Sequence, residues 1–70
     1  MPSEVQTVIF KKRYWTPERA VKWLHKHNFT AKKIDIEEKS YRFRQKNPQK
    51  YKRFTSKKIK PSVTLVFGFV

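Results

Sequence analysis

The sequence predicts an α+β domain: an antiparallel sheet of about four strands with one main helix packed across one face. Three observations lead there. Short β-branched and aromatic runs recur at residues 5–10 (VQTVIF), 33–37, 41–45 and 63–70. A stretch at residues 17–27 carries helical periodicity behind a Thr-Pro-Glu start. Six Phe, three Tyr and two Trp in 70 residues supply the bulky side chains that so small a core needs, because a chain of this size buries only about 60% of its extended surface. A disordered basic tail is poor in aromatics. Residues 1–70 therefore read as one small basic domain, in the order β-α-β-β-(short α)-β.

The first strand, residues 5–10, is short, β-branched and bounded by charges. Lys11-Lys12-Arg13 then leads into Tyr14-Trp15-Thr16-Pro17-Glu18. Thr16 can cap a helix, Pro17 suits the first helical position because its missing N–H is not needed there, and Glu18 complements the positive dipole end. In residues 17–27, Ala20, Val21, Trp23, Leu24 and His27 cluster on one face, with Arg19, Lys22 and Lys26 elsewhere. Trp15, just before the cap, is placed to staple the chain against the helix.

Ile34 and Ile36 alternate with Lys33, Asp35 and Glu37, and after a turn at 38–40 the run Tyr41-Arg42-Phe43-Arg44-Gln45 alternates again. This is a β-hairpin with Tyr41 and Phe43 on one face and Arg42 and Arg44 on the other. Asn47-Pro48 opens a turn, and residues 49–53 form a short helical turn capped by Asn47. Phe54 and Ile59 then anchor a looser basic stretch. In the last strand, residues 63–70, Val63, Leu65, Phe67 and Phe69 share one face, while Val66 and Val70 make the other partly apolar. Such a strand is central, paired with the first strand or the hairpin. An uncovered edge there is where a partner's strand would add.

Eighteen Lys and Arg against five acids give a net charge of +13. The charges are segregated. Residues 39–60 hold ten basic side chains and no Asp or Glu, and all five acids precede them. A solvated surface ordinarily mixes the two signs, so this pattern points to a one-signed face and a polyanionic partner.

Within that reading, Arg42 and Arg44 share a strand face at ~7 Å spacing, close to that of neighbouring phosphates. Lys46, Lys50, Lys52, Arg53, Lys57, Lys58 and Lys60 continue the contact through a loop, with Tyr51 between two lysines as the ring for base stacking. Tyr41, Phe43 and Phe54 are read as core aromatics, because a small domain needs them for burial. Lys11, Lys12 and Arg13, beside the helix start, complete the expected phosphate-binding set. No zinc-finger spacing, basic zipper or aromatic RNA-recognition signature is present, so contact is expected with the phosphate backbone of DNA or RNA rather than with base sequence.

No catalytic or metal site and no cofactor is expected. His25 and His27 diverge by about 200° around a helix and cannot share a metal without a third element. They read as a helix end, where a positive imidazolium complements the dipole. Glu37 and Glu38 point to opposite strand faces, which is wrong for an acid–base pair. The one glycine, Gly68, lies inside a strand and cannot form a phosphate loop, and cysteine is absent. The start lacks a secretory signal, and no apolar run approaches the ~18 residues of a membrane span. Asn28-Phe29-Thr30 is then a chance glycosylation match, and an intracellular, non-secreted protein is expected.

One longer pattern runs through these elements. It comprises Val8-Ile9-Phe10, Trp15-Thr16, Ala20, Lys22-Trp23-Leu24, His27 and Phe29, then Tyr41-Arg42-Phe43-Arg44-Gln45, Asn47-Pro48, Tyr51 and Arg53-Phe54-Thr55-Ser56-Lys57-Lys58-Ile59. It is similar to short basic proteins encoded by large DNA viruses of protists. It also resembles the small N-terminal domain ahead of some phage head-maturation proteases. The likeness spans residues 5–69 and consists of core and basic positions, with no catalytic signature. A glycine that the pattern expects before the last strand is replaced by Lys58-Ile59-Lys60-Pro61-Ser62.

The resemblance implies a viral setting, in the virion or the host cytoplasm or nucleus. Joined to the charge pattern, it gives the expectation of a non-catalytic module that binds DNA or RNA without sequence preference, in genome packaging or a nucleoid-type role. The alternative is a minor capsid or scaffold-associated virion component whose basic face docks an acidic protein surface. Neither expectation involves a membrane span.

Overall fold

The computed structural model describes residues 3–69. The elements are β1 (Ser3–Lys11), α1 (Pro17–Lys26), β2 (Lys33–Ile36), β3 (Ser40–Arg44), a 3₁₀ turn (Pro48–Lys50), β4 (Arg53–Lys60) and β5 (Val63–Phe69). The strands form one antiparallel sheet in the order β2-β3-β1-β5-β4. The fold is α+β with one helix, as the sequence predicts, but with five strands. Val70, expected in the last strand, lies outside the described residues.

The added strand is β4. Residues 53–60, expected as a looser stretch, pair along their length with β5 at the sheet edge. Every β4 residue is exposed, so the strand carries no apolar alternation to betray it. Its presence also corrects the expectation of an uncovered β5 edge: β5 lies between β1 and β4, and the outer strands are β2 and β4. The turn after Asn47 is shorter than expected, spanning Pro48–Lys50, with the Asn47 side chain accepting from the Gln49 N–H at 3.0 Å.

The helix begins as its sequence dictates. Thr16 Oγ1 accepts from the Arg19 N–H at 3.3 Å, and Pro17 follows. It ends at Asn28, whose φ of 63° is left-handed. There the Phe29 N–H donates to the Leu24 carbonyl and the Asn28 N–H to the His25 carbonyl, which satisfies the last-turn acceptors in a Schellman motif.

Ala20 and Leu24 of α1 close over Val8, Phe10, Phe43 and Val63 of the sheet. The Phe10 ring meets Trp15, Trp23 and Phe43 edge-on at 4.8, 5.6 and 5.6 Å between centroids. Trp15 does pack against this core, and its Nε1 donates to Ser62 Oγ at 2.9 Å, tying the helix entry to the β4–β5 turn. The sheet face opposite α1 carries no α-helix, only Pro48 of the 3₁₀ turn and the Tyr51 ring at one end, and the candidate site is built there.

Candidate nucleic-acid interface

Strand register determines what the open face displays, since directly paired residues share a face. One row across the sheet runs Asp35, Arg42, Ile9, Thr64, Lys58. The next runs Lys33, Arg44, Thr7, Val66, Ser56. Both rows put cations toward the β2–β3 side and short or apolar residues in the middle, and the first ends on Lys58. The centre is a concavity of about 410 Å³ with Ile9 and Val66 in its floor and Arg42, Phe54, Ser56 and Pro48 around it.

Arg42 and Arg44 hold the expected face. Each is drawn toward a carboxylate, Arg42 to Glu37 at 3.7 Å and Arg44 to Asp35 at 3.9 Å. Both pairs are long and exposed, so they stabilise the fold little and compete poorly with an incoming phosphate. Beside Arg44, a second concavity of about 550 Å³ is lined by Lys32, Lys33, Lys46, Gln45 and Thr30. Gln45 fixes its wall by donating from Nε2 to the Thr30 carbonyl and accepting the Thr30 N–H at Oε1, both at 2.8 Å. Lys32 and Lys33 were not among the expected phosphate-binding residues, because they lie ahead of the acid-free window at residues 39–60. Their signal is the alternation of 33–37, which puts Lys33 on the face of its partner Arg44.

Lys46 and Lys50 converge on Glu4, at 4.0 and 3.1 Å, and Tyr51 donates its hydroxyl to Glu4 Oε1 at 3.0 Å. The hydrogen bond from Lys50, followed by that from Tyr51, holds the Glu4 carboxyl below the usual carboxylate range. Burial first, and the Glu4 bond second, push the Tyr51 phenol up. Tyr51 therefore corrects an expectation: its ring is buried against Gly68 and is not presented to solvent. The exposed ring is Phe54, expected in the core but 47% accessible and edge-on to Tyr51 at 5.8 Å.

The basic residues of β4 do not form one surface. Lys58 faces the open side, while the alternation sends Arg53 and Lys57 to the side of α1, and Ile59 forms a bulge before Lys60. Arg53 lies over the Phe69 ring at 4.8 Å, and Lys52 is exposed at the strand entry. At the helix entry Lys11 shares the open face with Ser40, whereas Lys12 lies over Tyr41 at 5.5 Å and Arg13 over Tyr14 at 5.7 Å. His27 stacks on Trp23 at 4.0 Å. Among the described residues, no three of His, Asp and Glu gather closely enough to hold a metal ion, and no helix is long and apolar enough to cross a membrane.

No family model matches this chain, and neither the curated proteins nor the solved structures searched contain a match.

Proposed function

We propose that this domain is a non-catalytic module that binds the phosphate backbone of nucleic acid through its open sheet face, without sequence preference. The observation that carries the reading is the arrangement of that face, with Lys33, Arg42 and Arg44 on one side and Lys58 on the other of an uncharged floor. A net charge of +13 adds long-range attraction to any polyanion. The viral setting implied by the resemblance makes genome packaging or a nucleoid-type role the corresponding biology. Binding should weaken steeply with salt, as each phosphate contact releases counterions. A salt-dependent titration against duplex DNA, single strands and heparin tests the proposal, and affinity that is indifferent to salt would overturn it.

A second reading has one specific observation in its favour. Arg42, Arg44, Lys46 and Lys50 already take carboxylates as partners within the fold, and the exposed β4 edge offers backbone groups for strand addition. A virion component docking an acidic protein would use both. Binding to polyglutamate at least as tight as to nucleic acid, at equal charge and salt, would favour it.

A further inference from the structure

The open face is shaped for one form of nucleic acid more than another. We infer that it receives a single strand, its sugar–phosphate backbone running along β3 and its bases laid across the sheet toward Phe54. This rests on the nucleic-acid reading above and narrows it.

Four features of the face lead to a single strand. Arg42 and Arg44 are successive residues on one strand face, ~6.8 Å apart, a step that one nucleotide of extended single strand spans. Lys33 stands beside Arg44 and Asp35 beside Arg42, so three cations against one acid make the β2–β3 side a cationic rail rather than a point contact. Arg42 of that rail lines the concavity whose floor holds Ile9 and Val66, and the Phe54 ring stands on its far side, one row along β4 from Ser56. That order, charge then apolar floor then aromatic, is the order phosphate, sugar and base in a splayed nucleotide. From β3 to β4 the distance is three strand spacings, ~14 Å, which leaves room for one nucleotide laid flat.

A duplex fits this face poorly. It keeps its base faces stacked on one another and presents phosphates on both strands, so it would meet the cations but leave the half-buried Ile9 and the exposed Phe54 without a partner. The crossover from β3 to β4 also walls one end of the concavity. It is pinned where the Gln6 carbonyl accepts the Gln45 and Lys46 N–H groups and Gln6 Nε2 donates to the Lys46 carbonyl at 2.9 Å. Pro48 of that crossover lines the floor's end, a raised rim that a slim extended strand clears more easily than a rigid cylinder.

Phe54 is available for stacking because Tyr51 supports it. The buried Tyr51 ring meets Phe54 at 72° between planes, so Phe54 is buttressed from one side and 47% exposed on the rest. An exposed aromatic on an edge strand, held across an apolar floor from Arg42, is an arrangement that base stacking uses.

The test is fluorescence anisotropy with a labelled oligothymidylate, a hairpin duplex of equal nucleotide number and labelled heparin, using the full chain and the variants Phe54→Ala, Phe54→Trp and Tyr14→Ala. Tyr14 is also exposed, at 52%, but lies away from the concavity around Phe54. The expected result is tighter binding of the single strand than of the duplex. Phe54→Ala should weaken single-strand binding about tenfold with an unchanged salt slope, Phe54→Trp should restore it, and Tyr14→Ala should match the parent. Circular dichroism melts establish that each variant is folded. Duplex binding equal to or tighter than single-strand binding, or a folded Phe54→Ala that binds like the parent, overturns the single-strand inference while leaving phosphate binding intact. Failure of every nucleic acid to bind in a salt-dependent way overturns the underlying reading instead.

Discussion

The ring of Tyr51 occupies the space that a side chain on Gly68 would need: a Cβ built there would meet ring Cδ2 at 2.6 Å and Cδ1 at 2.7 Å. This explains why the one glycine of the chain lies inside a strand, where it ordinarily weakens pairing. The absent side chain is replaced by a ring from a neighbouring segment, which also props Phe54 and binds Glu4. Gly68→Ala should therefore destabilise by about 1–3 kcal/mol, the usual range for overpacking. Urea unfolding of Gly68→Ala, Tyr51→Ala and the double variant checks it. The double variant should cost less than the two singles together, because removing the ring makes room for the methyl group.

Glu4 and Tyr51 set opposite limbs of the pH profile. The Glu4 carboxyl titrates below its ordinary value in the folded state, so its contribution is present above the unfolded value and is lost as pH falls through the lowered one. The Tyr51 phenol titrates above its ordinary value. Its contribution is complete below the unfolded value and is lost as pH rises toward the folded one. Melting temperature against pH should show a shallower acid limb in Glu4→Gln than in the parent, and a shallower alkaline limb in Tyr51→Phe.

The two faces of the sheet offer a test of which surface binds. Arg42→Ser with Arg44→Ser should reduce the slope of log affinity against log salt by about one unit for each phosphate no longer neutralised. Arg53→Ser with Lys57→Ser removes the same formal charge from the side of α1 and should leave the slope nearer the parent's. Equal slopes in the two double variants would indicate attraction by net charge alone, without a preferred face.

Helix termination rests on Asn28. Its φ of 63° is a conformation that glycine adopts freely and β-branched residues resist. Asn28→Gly should keep or slightly raise the melting temperature. Asn28→Val should lower stability by about 1–2 kcal/mol, measured by chemical denaturation.

Much of this fold was legible because local chemistry and burial agree. Thr16-Pro17-Glu18 states a helix start without tertiary help, and the alternation of Tyr41 to Arg44 shows which side faces the core. The β4 strand was hidden for a physical reason: its pairing is to β5, while its own side chains are exposed on both faces, so no apolar period marks it. The shared face of Arg42 and Arg44 was legible, and the exposure of Tyr51 was misjudged. Two flanking lysines suggested exposure there, but Gly68 offered the ring a bed that lies 17 positions away in sequence. A lone glycine within an apolar strand was the available signal that another group approaches closely.

The antiparallel pairing of β1 with β5 sets Ser3 opposite Phe69, and this has a consequence for biosynthesis. A chain emerging from the ribosome can form the β1–β3–β2 portion early, but β1 then has a bare flank and β4 has no strand to join. The sheet closes only when residues 63–69 have cleared the exit tunnel. Assembly thus depends on contacts distant in sequence, which slow folding. A nascent or truncated product lacking β5 would expose the inner edge of β1 to association with other chains.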